Sequence, residues 1–184
     1  MKSVTVFLAA ISGLLLCTPV FSDEQFDELV EKAKAGDADA QFDLGGMYRF
    51  GVGVPKDYVE AVKWISKAAE QGDAESQLNL GDMYRRGNGV PKDDVEAAKW
   101  VRKAAEQGDA DAQFNLGVMH YVGRRAPKDY ARAYMWLNLA AAKGSEKAAE
   151  GRDKLAKRMT KEQIAESQKL TREWVARKAK EKGE

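Results

Sequence analysis

The stretch QGDAESQLNLGDMYRRGNGVPKDDVEAAKWVRKAAEQGD, residues 71–109, begins and ends on the same tripeptide, and its neighbours on both sides repeat it. Gln71 and Gln107 stand 36 positions apart, and Gly36, Gly72, Gly108 and Gly144 mark joints at that same spacing. Between the joints recur Leu44-Gly45, Leu80-Gly81 and Leu116-Gly117, then Met47, Met83 and Met119. Pro55-Lys56-Asp57, Pro91-Lys92-Asp93 and Pro127-Lys128-Asp129 follow, and Trp64, Trp100 and Trp136 close each frame. Self-similarity at a fixed period of this length signals a stack of supersecondary units that present surfaces to other molecules.

Within one unit the signals are helical. Asp73 is placed to cap a helix from Ala74, accepting from a free backbone amide. Leu78, Leu80, Met83 and Tyr84 follow at helical spacing, with Gly81 small where a second helix must cross closely. Gly87-Asn88-Gly89 stops this helix and Val90-Pro91-Lys92 forms the connector. Asp93 with Glu96, like Asp57 with Glu60, resembles a capping box opening the second helix. Ala97, Trp100, Val101, Ala104 and Ala105 then make its apolar stripe, which predicts the tryptophans to be core. Alone, such a helix–turn–helix unit leaves apolar faces bare, so it must stack on its neighbours.

The ends differ. Lys2 followed by the uncharged run Val4 to Val20 and by Val20-Phe21-Ser22 has the layout of a secretory signal cut after Ser22, with an uncleaved anchor the alternative. Cleavage would remove Cys17, the sole cysteine, and with it disulfides and thiol chemistry; a secreted or periplasmic setting follows. From Gly144 onward there are 12 basic against 8 acidic residues, whereas the preceding part is net acidic. No concentrated basic face covers the repeats, so nucleic acid is not the expected partner.

These residues resemble the Sel1-like repeat, a relative of the tetratricopeptide repeat. The shared pattern is Ala-x-Ala-x-x-x-Leu-Gly-x-x-Tyr-x-x-Gly-x-Gly-Val, followed by Asp, Ala, Trp, an Ala-Ala pair and Gly. Repeats 36–71 and 72–107 carry nearly all of it, with Ser76 for one alanine. Repeat 108–143 departs: His120 replaces Tyr48 and Tyr84, and Gly123-Arg124-Arg125-Ala126 replaces the glycine connector. The resemblance implies an all-α, right-handed α-solenoid of stacked helix–turn–helix repeats with helical caps. Residues 23–35, with Phe26, Leu29, Val30 and Ala33, are expected to cap its front. Residues 144–184, with a helix start at Thr160 and Gln163 and an inner face of Ile164, Leu170 and Trp174, are expected to cap its back.

No catalytic constellation emerges. His120 is the only histidine and stands at a framework aromatic position, so it reads as packed. Asp37-Ala38-Asp39 lacks the glycine and glutamate of a calcium loop, and the glycine connectors lack the strand and Ser/Thr of a phosphate loop. No metal or other cofactor is expected, and the chain is not expected to be an enzyme. Cysteine-rich relatives have been associated with penicillin binding or hydrolysis, but their paired cysteines are missing here.

By analogy with related stacks, the first helices line a concave face. The aligned positions there are Asp39, Phe42, Gly46, Arg49 and Phe50; Glu75, Leu78, Asp82, Arg85 and Arg86; then Asp111, Phe114, Val118, Tyr121 and Val122. Acids occupy one rim, arginines and aromatics the other, a layout suited to an extended peptide with its carboxylates on the arginines. Phe42, Leu78 and Phe114 read rather as packing between repeats, with a partner surface the alternative. Arg124 and Arg125 are a further candidate loop site. The resulting expectation is an exported adaptor or regulator acting through protein contacts in the cell envelope. The alternatives are a β-lactam or cell-wall hydrolase and a glycan-binding structural component.

Overall fold

The computed structural model describes residues 23–123 and 128–183. The apolar leader, the cut after Ser22 and the Arg124–Arg125 pair lie outside the described residues. The described chain is all-helical: α1 (Asp23–Ala35), α2 (Ala38–Phe50), α3 (Tyr58–Glu70), α4 (Ala74–Arg86), α5 (Asp94–Gln107), α6 (Ala110–Val122), α7 (Tyr130–Ala142), α8 (Glu146–Ala156) and α9 (Lys161–Lys182). The pairs α2–α3, α4–α5 and α6–α7 are the repeats, and α3–α4 and α5–α6 join one repeat to the next.

The helix starts are set by aspartates. Asp37, Asp73 and Asp109 accept from the amides of Ala40, Ser76 and Ala112 at 2.8, 2.7 and 2.7 Å, satisfying donors that a helix leaves free. Asp57, Asp93 and Asp129 cap the second helices. Glu60 and Glu96 do not complete capping boxes there; they turn instead to Lys63 and Lys99 one turn on. The reciprocal box forms only at Thr160 and Gln163 among the described helices. Each first helix ends on a left-handed glycine, Gly51, Gly87 or Gly123, whose amide donates to Met47, Met83 or Met119. The connector then folds back, the amides of Asp57, Asp93 and Asp129 donating to the carbonyls of Tyr48, Tyr84 and His120.

Within each repeat the two helices cross on a glycine. A Cβ on Gly45 would stand 2.5 Å from Ile65 Cγ1 and 3.3 Å from the Ala61 carbonyl, and one on Gly81 or Gly117 would stand 2.8 or 2.9 Å from Val101 or Leu137. The alanines of the second helices, such as Ala61, Ala97 and Ala133, are completely buried at these crossings. Trp64 and Trp136 are buried, but Trp100 is only partly so, its ring lying under Lys103 Nζ at 3.9 Å. The expectation of three equivalent core tryptophans therefore holds for two.

At the front, Phe26, Leu29 and Val30 of α1 pack around Ala33, Ala40, Leu44 and Trp64. At the back, α8 packs on α7, but α9 also returns to α7 and reaches α5. Trp174 meets Trp136 edge-on with ring centroids 6.0 Å apart, and its indole N–H donates to Glu106 at 3.0 Å. Arg177 adds an ion pair to Glu106 at 2.7 Å. The repeats themselves prepare this contact. Positions held by Lys63 and Lys67, then Lys99 and Lys103, become Met135 and Leu139, both buried beneath the returning helix region.

The glycine crossing has a built-in control. Nothing lies within 4 Å of a Cβ on Gly46, the neighbour of Gly45. Gly46→Ala is expected to stabilise the protein by about 0.5–1 kcal/mol through helix propensity, and Gly45→Ala to destabilise it by about 1–3 kcal/mol through overpacking. Urea denaturation of both variants checks this; equal effects of the same sign would contradict it.

Candidate functional site

A groove of about 810 Å³ opens between α4 and α6, with α5 as its floor and Arg49 of α2 at its edge. Leu78 and Met119 line it while resting on the core around Val101 and Leu116, and Val118 and Val122 are exposed within it. Its polar lining comprises Arg49, Glu75, Asn79, Asp82, Arg85, Arg86, Asp94, Asp109, Asp111 and Asn115. Among the described residues no serine, cysteine, histidine or lysine belongs to it.

The three arginines converge on one carboxylate. Arg86 Nε lies 2.8 Å from Asp82, Arg85 also donates to it, and Arg49 crosses from the preceding repeat to Asn79 and, at 3.4 Å, to Asp82. Partial burial pushes the Asp82 carboxyl up, but the hydrogen bonds from Arg86 and Arg85 outweigh it and hold the group below its ordinary range. The guanidiniums expected to receive a partner's carboxylates are thus already engaged inside the protein.

Of the residues anticipated from sequence, Arg49, Glu75, Leu78, Asp82, Arg85, Arg86, Asp111, Val118 and Val122 meet in this groove. Asp39 and Phe50 are exposed but lie outside its lining, Phe50 carrying the Arg49 guanidinium 5.2 Å from its ring centroid. Tyr121 belongs to the packing of the C-terminal end. Its ring stacks on Tyr130 at 5.9 Å and its hydroxyl accepts from Arg158 at 2.6 Å. Phe114 packs in that same cluster.

Sequence reasoning missed Asp94, and the signal was present. The residue after the capping aspartate is Tyr58 in the first repeat and Tyr130 in the third, both packed against core clusters. In the second it is Asp94, a shorter side chain that lines the groove instead of filling it. Its Oδ1 is closed off from solvent and has no hydrogen-bond donor. Among the described residues no cluster of histidine, cysteine and acidic side chains is arranged to hold a metal ion, and no helix is long and apolar enough to cross a membrane.

The family model for the Sel1 repeat matches residues 38–73, 74–109 and 110–145, each unit running from the start of a first helix to the next capping position. The chain belongs to the Sel1 repeat family. Among solved structures it is similar to a protective antigen of uropathogenic Escherichia coli strains that displays an SLR fold. The identity is 36%, the TM-score 0.75, and the match covers 84% of this chain and 33% of that one. It is also similar to a Sel1 repeat protein from Oxalobacter formigenes, at 38% identity and TM-score 0.67, covering 71% of this chain and 54% of that one. The Helicobacter pylori cysteine rich protein B matches at 25% identity and TM-score 0.54 over 69% of this chain and 91% of that one. The chain therefore spans a third to about half of the first two relatives' lengths. No curated protein matches the sequence.

Within the Sel1 repeat pattern, His120 stands where the tyrosine belongs, partly buried and outside the groove lining. Burial lowers its pKa below the ordinary 6.5, while Asp129 opposes this and Arg102 and Arg132 add to it. With the folded value depressed, the unfolded chain takes the proton first. The contribution to stability is therefore complete above the ordinary pKa and is lost as pH falls through it toward the folded value. Melting temperature is expected to drop from about pH 7 to about pH 5, and to drop less in His120→Tyr. Circular dichroism melts check this; parallel slopes would show that His120 is not the group responsible.

Proposed function

We propose that this Sel1 repeat protein is an exported, non-catalytic adaptor that holds an extended segment of a partner protein in the groove between α4 and α6. The observation that carries the reading is the groove itself. It is roomy, its floor is apolar apart from Asp94, and all of its lining but the capping Asp109 lies on helices, so its walls are positioned by the repeat packing. Its side chains bind and orient but do not attack. Carboxylates, guanidiniums, amides and aliphatics are present without a nucleophile and base in hydrogen-bonded partnership. That favours the adaptor over a β-lactam or cell-wall hydrolase. The leader from Lys2 to Ser22 supports export, with the mature protein starting at Asp23.

A photo-crosslinking residue in place of Val118, exposed in the groove, is expected to label a partner protein in envelope fractions. The same residue in place of Lys99, on the exposed surface of α5 and outside the groove, is expected not to label it. Equal labelling from both positions, or adducts with wall glycan alone, would overturn the reading.

A further inference from the structure

We propose that the segment held in the groove is cationic. It lays lysine or arginine side chains against Asp94, Glu75 and Asp111 and apolar side chains against Leu78, Val118 and Val122. This rests on the groove being the partner site, and adds the chemistry of what enters it.

The charge is arranged by helix. The first helices α2, α4 and α6 contain no lysine, whereas α3 and α5 carry Lys63, Lys67, Lys99 and Lys103. Lys67 and Lys103 sit over the rings of Trp64 and Trp100, on the second helices. Among the described residues the groove lining holds five carboxylates against three guanidiniums, and all three guanidiniums are drawn to Asp82. Glu75 and Asp111 are exposed and join no ion pair among the described residues.

Asp94 is the decisive residue. A repeat built on tyrosine at this position gives up aromatic packing here for a carboxylate. One oxygen of that carboxylate is desolvated without any donor to compensate it. Such a group raises the negative potential of the groove, and a cation against its open side offsets the cost. The amide-rich starts of α4 and α6 offset part of the charge on Glu75 and Asp111. The preference for cationic over anionic segments is therefore set at roughly tenfold rather than many orders.

Fluorescence anisotropy on the purified protein tests this with two labelled peptides of about nine residues, long enough to cross the groove extended. One alternates lysine with valine and the other glutamate with valine. The lysine peptide is expected to bind roughly tenfold tighter, with a preference that shrinks as salt rises. Asp94→Asn is expected to remove most of the preference, and Asp94→Tyr, which restores the framework residue, to block both peptides while melting no lower than the parent. Tighter binding of the glutamate peptide, lost in Arg85→Gln/Arg86→Gln, would overturn the cationic partner while leaving the groove as the site. Binding of neither peptide, or binding unchanged by both Asp94 variants, would overturn the proposal. With Val118 crosslinks also absent, the groove reading would fall with it. Self-association abolished by Asp94→Tyr would name a second copy as the occupant and overturn a separate cationic partner.

Discussion

A buried side-chain amide ties each Sel1 repeat to the helix before it. Gln41, Gln77 and Gln113 are nearly or fully inaccessible, and each donates through Nε2 to a carbonyl near the end of the preceding helix: Ala33, Ala69 and Ala105, at 2.9, 3.0 and 3.2 Å. Each of these carbonyls also accepts from the amide of the joint glycine, Gly36, Gly72 or Gly108, so the glutamine takes the second lone pair, and it is the buried amide itself that would be penalised by about 1–3 kcal/mol without a partner. The other end of the amide is used as well. Gln71 donates to Gln41 Oε1 at 2.8 Å and Gln107 to Gln77 Oε1 at 2.9 Å, so one amide engages three successive helices. Hydrophobic packing supplies most of the driving force but little direction. The amide relay fixes which carbonyl meets which side chain, and with it the register of the stack. At the third repeat Lys143 replaces the glutamine, donates to the Gly108 carbonyl, and leaves Gln113 Oε1 without a partner.

Register decides where the groove lies. Because α4 and α6 are each locked to the helix before them, their equivalent residues face one another across α5. A change at a single repeat position then reshapes the space between them. Asp94 in place of tyrosine makes room, and Asp82 in place of Gly46 and Val118 gathers the arginines of two repeats. The groove is thus a local departure from a regular scaffold, with rigidity coming from what is repeated and chemistry from what is not.

Most of the architecture was legible in the sequence because stacking acts at every unit and leaves its mark three times. The capping aspartates, the glycines at the crossings and the left-handed glycine stops each answer a backbone constraint that few residue types meet. The site was legible only in part. Asp82 stands three and four residues before Arg85 and Arg86, a spacing that permits pairing on a helix. Spacing does not say whether an arginine prefers that neighbour to a partner molecule. Tyr121 aligned with Arg49 and Arg85, but its fate was set by Arg158 and Tyr130, which only folding brings to it. The return of α9 had its own trace, since Met135 and Leu139 interrupt a lysine pattern. Which helix would cover them depends on a contact spanning 68 residues, Trp174 to Glu106.

The coupling between Gln77 and Gln107 bears most directly on how the stack keeps its register. A double-mutant cycle with Gln77→Leu, Gln107→Leu and the pair, followed by urea denaturation, measures it. The relay predicts non-additivity, with a coupling energy of about 1 kcal/mol, because loss of Gln107 leaves the buried Gln77 Oε1 without a donor, a cost that vanishes once Gln77 is leucine, whereas Gln107 keeps its bond to the Gly72 carbonyl in either background. Effects that add within about 0.3 kcal/mol would mean that the two glutamines act independently, and that apolar packing alone sets the register.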